Sequence, residues 1–350
     1  MKYLWIESIK LKVKKFKVAT QIVLVIVIFF VGCLSGYFYE HSKYNNFFKE
    51  FRTLRENSSK YSLINPLIGN ITPPATEVGI YSDIKDEVES YLKEEEDAGE
   101  LYGYSFYFRD LNSGLWFGSN ESLAFFPASL FKLPVAIAAY KEGEDDHSFL
   151  EKKFVYTEAL FRQNKELTSN SDSDLVIGDS YSVKDLVEKM LVNSDNGAKD
   201  LLLTAVNGDY INKIFETASL VDPELMKTFD ISSLRYALFL RILYGSSYLN
   251  EEHSQLIMEM LSKSTFKDGL VSGIPADVPI AHKFGAYQFQ EKINDKDVVV
   301  QQLHDCGVIY HKTDPYIVCF MTKGKNSEDL FRIFSKVSSI IYNYQDKAGD

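Results

Sequence analysis

Three short motifs carry the residue types that nucleophilic catalysis requires. In chain order they are Ser129-Leu-Phe-Lys132, Ser194-Asp195-Asn196 and Lys283-Phe284-Gly285. A serine hydroxyl attacks well only when a neighbouring base takes its proton, and a lysine with a lowered pKa can be that base. A second hydroxyl and an amide can serve the leaving group, and a lysine at a strand edge can hold an anionic substrate. Together the motifs predict acyl transfer.

The first motif is selected by its context, because the pattern Ser-x-x-Lys occurs three times. The pairs are Ser82 with Lys85, Ser129 with Lys132, and Ser264 with Lys267. Ser82 is predicted to cap an acidic helix, and Ser264 to lie in a polar surface turn. Ser129 stands in an apolar run of helical length, where a polar pair is buried with partners or lines a cleft. Lys132, three residues on, would share a helix face with Ser129.

The second and third motifs also permit simpler interpretations. The second joins a predicted helix at Val183–Val192, capped by Ser182 and Asp185, to a second helix at Gly197–Ala205. It could be only a helix–helix turn. Lys283 lies in a strand-like run, where a solvated edge charge is the common alternative. The presence of all three motifs in one order is what favours catalysis.

Three segments resemble the motifs of the penicillin-recognising serine hydrolases, most closely the class A beta-lactamase-like branch. They are Phe126–Pro134 for the nucleophile, Met190–Ala198 for the second motif and His282–Gly285 for the third. The resemblance extends from Gly99 to Tyr344. It implies that family's three-layer architecture.

The resemblance also implies a role for each residue. Ser129 would attack a carbonyl carbon and form a covalent acyl-enzyme, with Lys132 acting as the base or orienting it. Ser194 would relay a proton to the leaving nitrogen. Asn196 would contact both the amide side chain of the substrate and Lys132. Lys283 would set the electrostatics of the cleft.

An oxyanion hole and a substrate-binding strand follow from the same resemblance. The backbone N–H groups of Ser129 and Ala286 would form the hole, and one such donor typically contributes about 10²- to 10³-fold in rate. Phe284 and Gly285 would lie beside the substrate. Phe284 departs from the family, which has a hydroxyl residue there to bind a carboxylate, and a phenyl ring donates no hydrogen bond.

A second departure concerns release of the acyl group. In class A enzymes a loop Glu positions the hydrolytic water, and the matching stretch here is Leu220–Met226, with Asp222 in place of that Glu. Asp is one methylene shorter and Met226 replaces an amide. We therefore expect acylation followed by slow deacylation, or an ester or peptide substrate. The alternatives are that Glu224 takes the role or that Asp222 only caps a turn at Pro223.

The N-terminal segment has the pattern of a membrane anchor. Residues 1–17 contain six Lys and one Glu, a local charge of +5, and residues 18–39 are almost wholly apolar. About twenty apolar residues can span a hydrocarbon core of roughly 30 Å. The lysines before them place the N-terminus in the cytoplasm and the rest outside it. A cleaved signal peptide, or a lipoprotein processed at Cys33, is the alternative.

The remaining chain is predicted to be a linker followed by one domain. Residues 40–80 read as stalk and linker, because Pro and Gly pairs interrupt them, and residues 81–350 as the catalytic domain. Strands are expected near 102–109, 115–118, 280–287, 298–310 and 315–322, and helices near 82–96, 129–250 in several pieces, and 328–344. This order predicts an α/β fold, an antiparallel sheet with helices on both faces and an inserted helical lobe. The cleft between lobe and sheet would hold the motifs.

Composition disfavours several other classes of function. The formal net charge of the chain is −11, and subtracting the +5 of residues 1–17 leaves −16 for the remainder. A surface this acidic repels nucleic acid. The six histidines lack metal-ligand spacing and no glycine-rich nucleotide loop is present, so no metal or cofactor is predicted. His304-Asp305-Cys306 is predicted to be a structural cluster. Cys306 and Cys319 would face each other across a hairpin, with packed free thiols slightly favoured over a disulfide.

The sequence therefore predicts a membrane-anchored, extracytoplasmic serine hydrolase that works through an acyl-enzyme and hydrolyses β-lactams. One alternative is a DD-carboxypeptidase or transpeptidase acting on cell-wall peptides, whose acyl-enzyme needs no dedicated deacylating Glu. Another is a non-hydrolytic module that binds penicillin or wall fragments as a sensor.

Overall fold

The computed structural model describes residues 24, 27–32, 34–36, 61–65, 81–167, 173–217, 229–293 and 296–349. The chain divides into two units, Met1–Thr53 and Leu54–Asp350. In the first unit the described residues are helical. Within the described positions no helix combines the length and apolar character needed to cross a bilayer. Most of the predicted span at 18–39 lies outside those positions.

In the second unit, the described residues form one main antiparallel sheet and two short strand pairs. The strands are β1 (Leu101–Asp110), β2 (Trp116–Ser119), β3 (Ala124–Phe125), β4 (Lys153–Val155), β5 (Ser180–Ser182), β6 (Ile231–Ser232), β7 (Ile280–Ile293), β8 (Lys296–Ile309) and β9 (Tyr316–Gly324). The sheet has the order β2-β1-β9-β8-β7, while β3 pairs with β6 and β4 with β5. This order makes β7 an edge strand.

Helices cover both faces of the sheet and build a lobe beside it. They are α1 (Ser82–Asp97), α2 (Lys132–Asp145), α3 (Glu158–Leu167), α4 (Val183–Val192), α5 (Asn196–Ala205), α6 (Gly208–Thr217), α7 (Ser233–Tyr244), α8 (Glu251–Ser262) and α9 (Ser327–Gly349). On one face Phe320 of β9 packs on Phe334 of α9, with ring centroids 4.5 Å apart. On the other face the hydroxyls of Ser105 in β1 and Ser233 in α7 lie 2.8 Å apart. The predicted layered α/β fold is confirmed.

Local sequence signals located most elements correctly. Helix α4 begins and ends at the predicted residues, and Ser182 with Asp185 forms the predicted capping box. The helix α3 was not predicted. Two predictions about serines are wrong. Ser82 lies inside α1 after the N-cap residue Tyr81, so it is not the cap. Ser264 is buried instead of lying on the surface, and the N–H of the next residue, Thr265, donates a hydrogen bond to the carbonyl oxygen of Val192 at the end of α4.

The two strand cysteines form a disulfide, so the expectation of packed free thiols is wrong. Cys306 and Cys319 are directly paired residues of β8 and β9, and their sulfurs are 2.03 Å apart. Lys283 of β7 is the residue paired with Cys306 on its other side. The disulfide therefore crosslinks β8, the neighbour of the strand that carries the third motif, to β9 on its other side.

Candidate active site

The nucleophile motif lies in a tight turn. Ala128–Phe131 form one turn of 3₁₀ helix, and α2 begins only at Lys132. The prediction of a regular helix from Ser129 is therefore wrong by three residues. The cause is Ala128, whose φ of +48° lies in the left-handed region that α-helices exclude. Leu130 is buried and its carbonyl accepts a hydrogen bond of 3.1 Å from Tyr236, while Ser129 is only half-buried.

Lys132 connects the first motif to the second. Its side chain is 1% exposed. The ammonium donates to Ser194 Oγ at 3.1 Å, to Asn196 Oδ1 at 2.8 Å and to the backbone oxygen of Ser194. None of the hydrogen bonds within the described residues joins Lys132 to Ser129, although the two follow each other within one turn. Catalytic hydrogen bonds are often longer in a free enzyme than in a complex.

Burial lowers the pKa of Lys132 well below its ordinary value of 10.5, and the positive charges of Lys283 and Lys199 lower it further. Loss of hydration disfavours the charged form of an amine, and a neighbouring cation adds repulsion. The neutral amine is the form that can accept a proton. This environment is therefore suited to a general base.

Ser194 bridges the two motif lysines. Its Oγ accepts hydrogen bonds from Lys132 Nζ at 3.1 Å and from Lys283 Nζ at 2.9 Å. Its backbone has a φ of +56°, an uncommon conformation for a non-glycine residue. A hydroxyl has two acceptor sites and one hydrogen. With both acceptor sites used, the Ser194 hydrogen is available to a third atom in the cleft.

Lys283 brings a second perturbed amine into the cluster. It is fully buried, and this burial lowers its pKa to about 7, while Asp305 acts in the opposite direction. Its Nζ also donates to the backbone oxygen of Phe284 at 3.1 Å and lies 4.3 Å from the centroid of the Phe284 ring. A pKa near neutrality means that both the charged and the neutral form of this lysine are accessible near pH 7.

Asp195 and Gly197 explain the rest of the second motif. Asp195 caps α5, because its Oδ1 accepts from the N–H of Ala198 at 2.8 Å, and its Oδ2 accepts from the N–H of Asp174 at 2.8 Å. A Cβ on Gly197 would lie 2.9 Å from the Tyr156 hydroxyl and closer still to Ser173. A larger residue at this position would therefore require the side chains of Ser173 and Tyr156 to move. The polar segment between α4 and α5 is thus held firmly on both sides of Ser194.

The strand β7 closes the cleft against the nucleophile turn. A Cβ on Gly285 would lie 2.8 Å from the carbonyl oxygen of Pro127 and 3.1 Å from the backbone nitrogen of Ser129. Glycine is therefore required for this close approach. The next residue, Ala286, is exposed at the strand edge. The backbone N–H groups predicted to form the oxyanion hole are thus carried by segments in direct contact.

Phe284 replaces the hydroxyl of the related motif with an aromatic wall. Its ring stacks on Phe266, with centroids 3.9 Å apart and planes 16° apart.

The loop candidates Asp222 and Glu224 lie outside the described residues, and their roles stay predictions. The motifs that bear Ser129, Lys132, Ser194, Asn196, Lys283 and Gly285 form one connected cluster. Within the described residues no group of acidic, histidine and cysteine side chains could hold a metal ion.

Comparison with known proteins assigns this arrangement to a family. Residues 84–345 match the model of the beta-lactamase enzyme family. The chain belongs to the beta-lactamase enzyme family. It is therefore a serine hydrolase by family. A search of curated proteins finds no match.

Solved structures show the same beta-lactamase fold. The structure named PBP-A is 18% identical, with a TM-score of 0.64 over 79% of this chain and 99% of that one. The TLA-1 extended-spectrum beta-lactamase is 14% identical, with a TM-score of 0.63 over 75% and 98%. A class A beta-lactamase from Bacteroides cellulosilyticus is 18% identical, with a TM-score of 0.61 over 76% and 98%. At these identities the likeness concerns the fold.

One residue of this beta-lactamase-like site was not identified from the sequence. His304 of β8 is fully buried, and its Nε2 lies 3.1 Å from the carbonyl oxygen of Phe126, three residues before Ser129. Its Nδ1 lies 3.2 Å from the N–H of Thr322. Burial lowers the pKa of His304 to about 4, so the ring is neutral near pH 7. We assign the proton to Nε2, because Nδ1 then accepts from Thr322.

His304 thereby fixes the chain that leads into the nucleophile turn. The contact joins residues 178 apart in sequence, which no spacing pattern reveals. The sequence placed His304 in a structural cluster with Asp305. Asp305 does form a buried polar cluster, but with other residues: its carboxylate oxygens accept hydrogen bonds from His282 Nδ1 at 2.8 Å and from the N–H of Leu270 at 2.9 Å.

Replacing His304 with phenylalanine is expected to slow acylation of Ser129 about 10- to 100-fold. A ring without N–H cannot hold the Phe126 carbonyl, and a small misplacement of a reacting group costs rate on this scale. His304→Gln retains a donor and should recover part of the loss. Stopped-flow acylation by penicillin separates the rate constant from the binding constant. A loss that is equal in both variants and follows their melting temperatures would assign His304 a purely structural role.

Proposed function

We propose that this protein is a membrane-anchored, extracytoplasmic serine hydrolase that opens β-lactams through an acyl-enzyme on Ser129. The observation that carries the proposal is the Ser194 hydroxyl held by two buried lysines, 3.1 and 2.9 Å from their Nζ atoms. Neutral Lys132 would take the Ser129 proton as Oγ attacks the carbonyl carbon. As the C–N bond breaks, Ser194 would pass its proton to the leaving nitrogen and take from Lys132 the proton that came from Ser129.

Several facts support the substrate class. A structural neighbour of 18% identity, a mutant of PBP-A, was solved as an acyl-enzyme complex with penicillin G. Lys283, on the strand that closes the cleft, would supply a positive charge for the carboxylate of such a compound. Phe284 supplies no hydroxyl for that carboxylate, so the charge of Lys283 would have to suffice.

Two features support the location outside the cytoplasm. Residues 1–17 carry a charge of +5 directly before the apolar run at 18–39, a pattern typical of a cytoplasmic N-terminus. The disulfide between Cys306 and Cys319 is of a kind that persists in oxidising compartments.

A DD-carboxypeptidase-like enzyme or a penicillin-binding sensor is the second candidate. Two departures in the sequence favour it. Phe284 stands where the related motif has a hydroxyl residue, and Asp222 stands where class A enzymes have the loop Glu that positions the deacylating water.

One experiment on the full-length protein in detergent separates these functions. Intact-mass spectrometry would follow the penicillin adduct over time, beside the steady-state turnover of a chromogenic cephalosporin. We expect rapid formation of an adduct that decays slowly, with a measurable burst. A permanent adduct without turnover would favour the sensor. Release of D-alanine from a peptide ending in D-Ala-D-Ala would favour the carboxypeptidase. If no adduct forms at all, both the proposed β-lactam hydrolysis and the penicillin-binding sensor are contradicted.

A further inference from the structure

Three aromatic rings form a platform beside the second and third motifs. Phe284 of β7 stacks on Phe266, which lies in the segment after α8, with centroids 3.9 Å apart. Phe331 of α9 adds a third ring, 6.1 Å from that of Phe266. All three side chains are only half-buried, so part of each stays accessible to solvent. Stacked rings that remain accessible beside a catalytic cluster are typical of a binding surface rather than of a core.

One lysine joins the platform to the group that would protonate the leaving nitrogen. Lys283 Nζ lies 4.3 Å from the centroid of the Phe284 ring and donates to Ser194 Oγ at 2.9 Å. Ser194 is the residue that would pass its proton to the leaving nitrogen. The platform therefore lies on the side of the scissile bond where the leaving half of the substrate would sit.

The surroundings of the platform disfavour an anion. Asp305 of β8 is the residue paired with Phe284, so its side chain lies on the same face of the sheet. A Cβ on Gly269 would lie 2.8 Å from the Phe266 ring and closer still to the Asp305 carboxylate, which makes these two side chains close neighbours. The face of an aromatic ring is the negative part of its quadrupole. A substrate carboxylate placed here would meet ring faces and a second acidic group.

Lys283 is a weak anchor for such an anion. Its side chain is fully buried, its Nζ already donates to Ser194 Oγ and to the carbonyl oxygen of Phe284, and the Phe284 ring lies against it. An anion could reach this amine only by losing its own hydration, a cost that one shielded charge offsets poorly. Burial also lowers the pKa of Lys283 to about 7, so near neutral pH the amine is charged only part of the time.

We propose that the platform receives the leaving half of the substrate and selects one that carries an uncharged group, such as an ester, in place of a carboxylate. The inference rests on the proposed function, because it names the class of acyl compound that Ser129 attacks. As Ser129 Oγ bonds to the carbonyl carbon, the C–N bond breaks and the leaving nitrogen takes the Ser194 proton. The neutral group stays on Phe284 and Phe266 throughout, and neither ring gains or loses a bond.

Penicillin G and its methyl ester test the proposal, because they share the acyl chain and the β-lactam nucleus and differ only at the carboxylate. The second-order rate constant for acylation of the full-length protein in detergent is divided by each compound's rate of hydrolysis by hydroxide, which removes intrinsic reactivity. We expect the ester to acylate the wild type roughly 3- to 30-fold faster, the range for burying one or two methyl-sized groups. Phe284→Thr supplies a hydroxyl donor beside Lys283 and should reverse the preference, with the acid about 10-fold faster.

Two control variants isolate the platform. Phe289→Thr makes the same exchange on the opposite face of β7, and Lys267→Met removes an exposed charge next to Phe266 in the chain. Both should keep the wild-type ratio. A wild-type preference for the acid, or an acid rate that falls in Lys267→Met, would overturn the selectivity while upholding acylation of Ser129. The wild-type ratio decides this even if a melting temperature shows that Phe284→Thr is unfolded. Absence of acylation by either compound would overturn the function and the selectivity together.

Discussion

Replacing Ser129 with alanine is expected to remove covalent labelling by fluorescent penicillin altogether. The Oγ of Ser129 is the atom that would bond to the carbonyl carbon, and alanine has no substitute for it. Loss of a serine nucleophile lowers rates by about 10⁴-fold or more in serine hydrolases that use a comparable mechanism. The measurement is gel fluorescence after incubation of the full-length protein, with intact mass as a second readout.

The chain supplies a matched control for this experiment. Ser82 and Lys85 repeat the Ser-x-x-Lys spacing at the start of α1, where Ser82 is exposed and its hydroxyl lies near Asp83. Ser82→Ala should label like the wild type. Equal labelling of the Ser129→Ala protein would show that another residue is the nucleophile, and the roles assigned to Lys132 and Ser194 would then fail with it.

Context made Ser129 identifiable from the sequence. The motif spacing alone matched three places, and the apolar run around Ser129 distinguished one of them. The same kind of local signal located α4, because a capping box and an apolar stripe are both encoded within a few residues. The layered fold followed from the order of strands and helices. These features depend on neighbours in the chain, which the sequence displays directly.

Features that depend on distant residues were missed. Ala128 adopts a left-handed conformation in a turn that Gly285 of β7 and Tyr236 contact, and nothing in its own residue type predicts that. His304 reaches the Phe126 carbonyl only because the fold brings β8 under the turn. The sequence predicted that Cys306 and Cys319 face each other across a hairpin. It did not predict that the two residues form a disulfide instead of remaining free thiols.

The cluster joins two buried amines in a domain whose overall charge is strongly negative. Lys132 and Lys283 both contact Ser194 Oγ, and each loses most of its hydration. Two ammonium groups this close repel each other in a poorly solvated site, so at least one is favoured in the neutral form. Acidic surface elsewhere in the domain does not remove this local effect, because surface charges are screened by solvent.

Replacing Lys132 with methionine is expected to slow acylation by roughly 10²- to 10⁴-fold, the usual contribution of a general base. Methionine fills a similar volume without an amine, so Ser129 keeps its place but loses the proton acceptor. Stopped-flow acylation by penicillin measures the effect. The matched control is Lys93→Met, at an exposed lysine paired with Asp97 on α1, which should acylate at the wild-type rate. An unchanged rate in Lys132→Met would exclude Lys132 as the base.

The same variant should change how stability depends on pH. The pKa values of Lys132 and Lys283 are lowered in the folded protein, that of Lys283 to about 7, from 10.5. Between the folded and unfolded values the unfolded chain binds more protons, so the free energy of unfolding rises with pH in that window. Removing Lys132 removes up to one proton from this difference, or about 1.4 kcal/mol per pH unit of slope. Denaturant melts between pH 7 and 10 should therefore show a shallower rise for Lys132→Met than for Lys93→Met. Equal slopes would mean that Lys132 stays protonated in the folded protein, and a protonated amine cannot take the Ser129 proton.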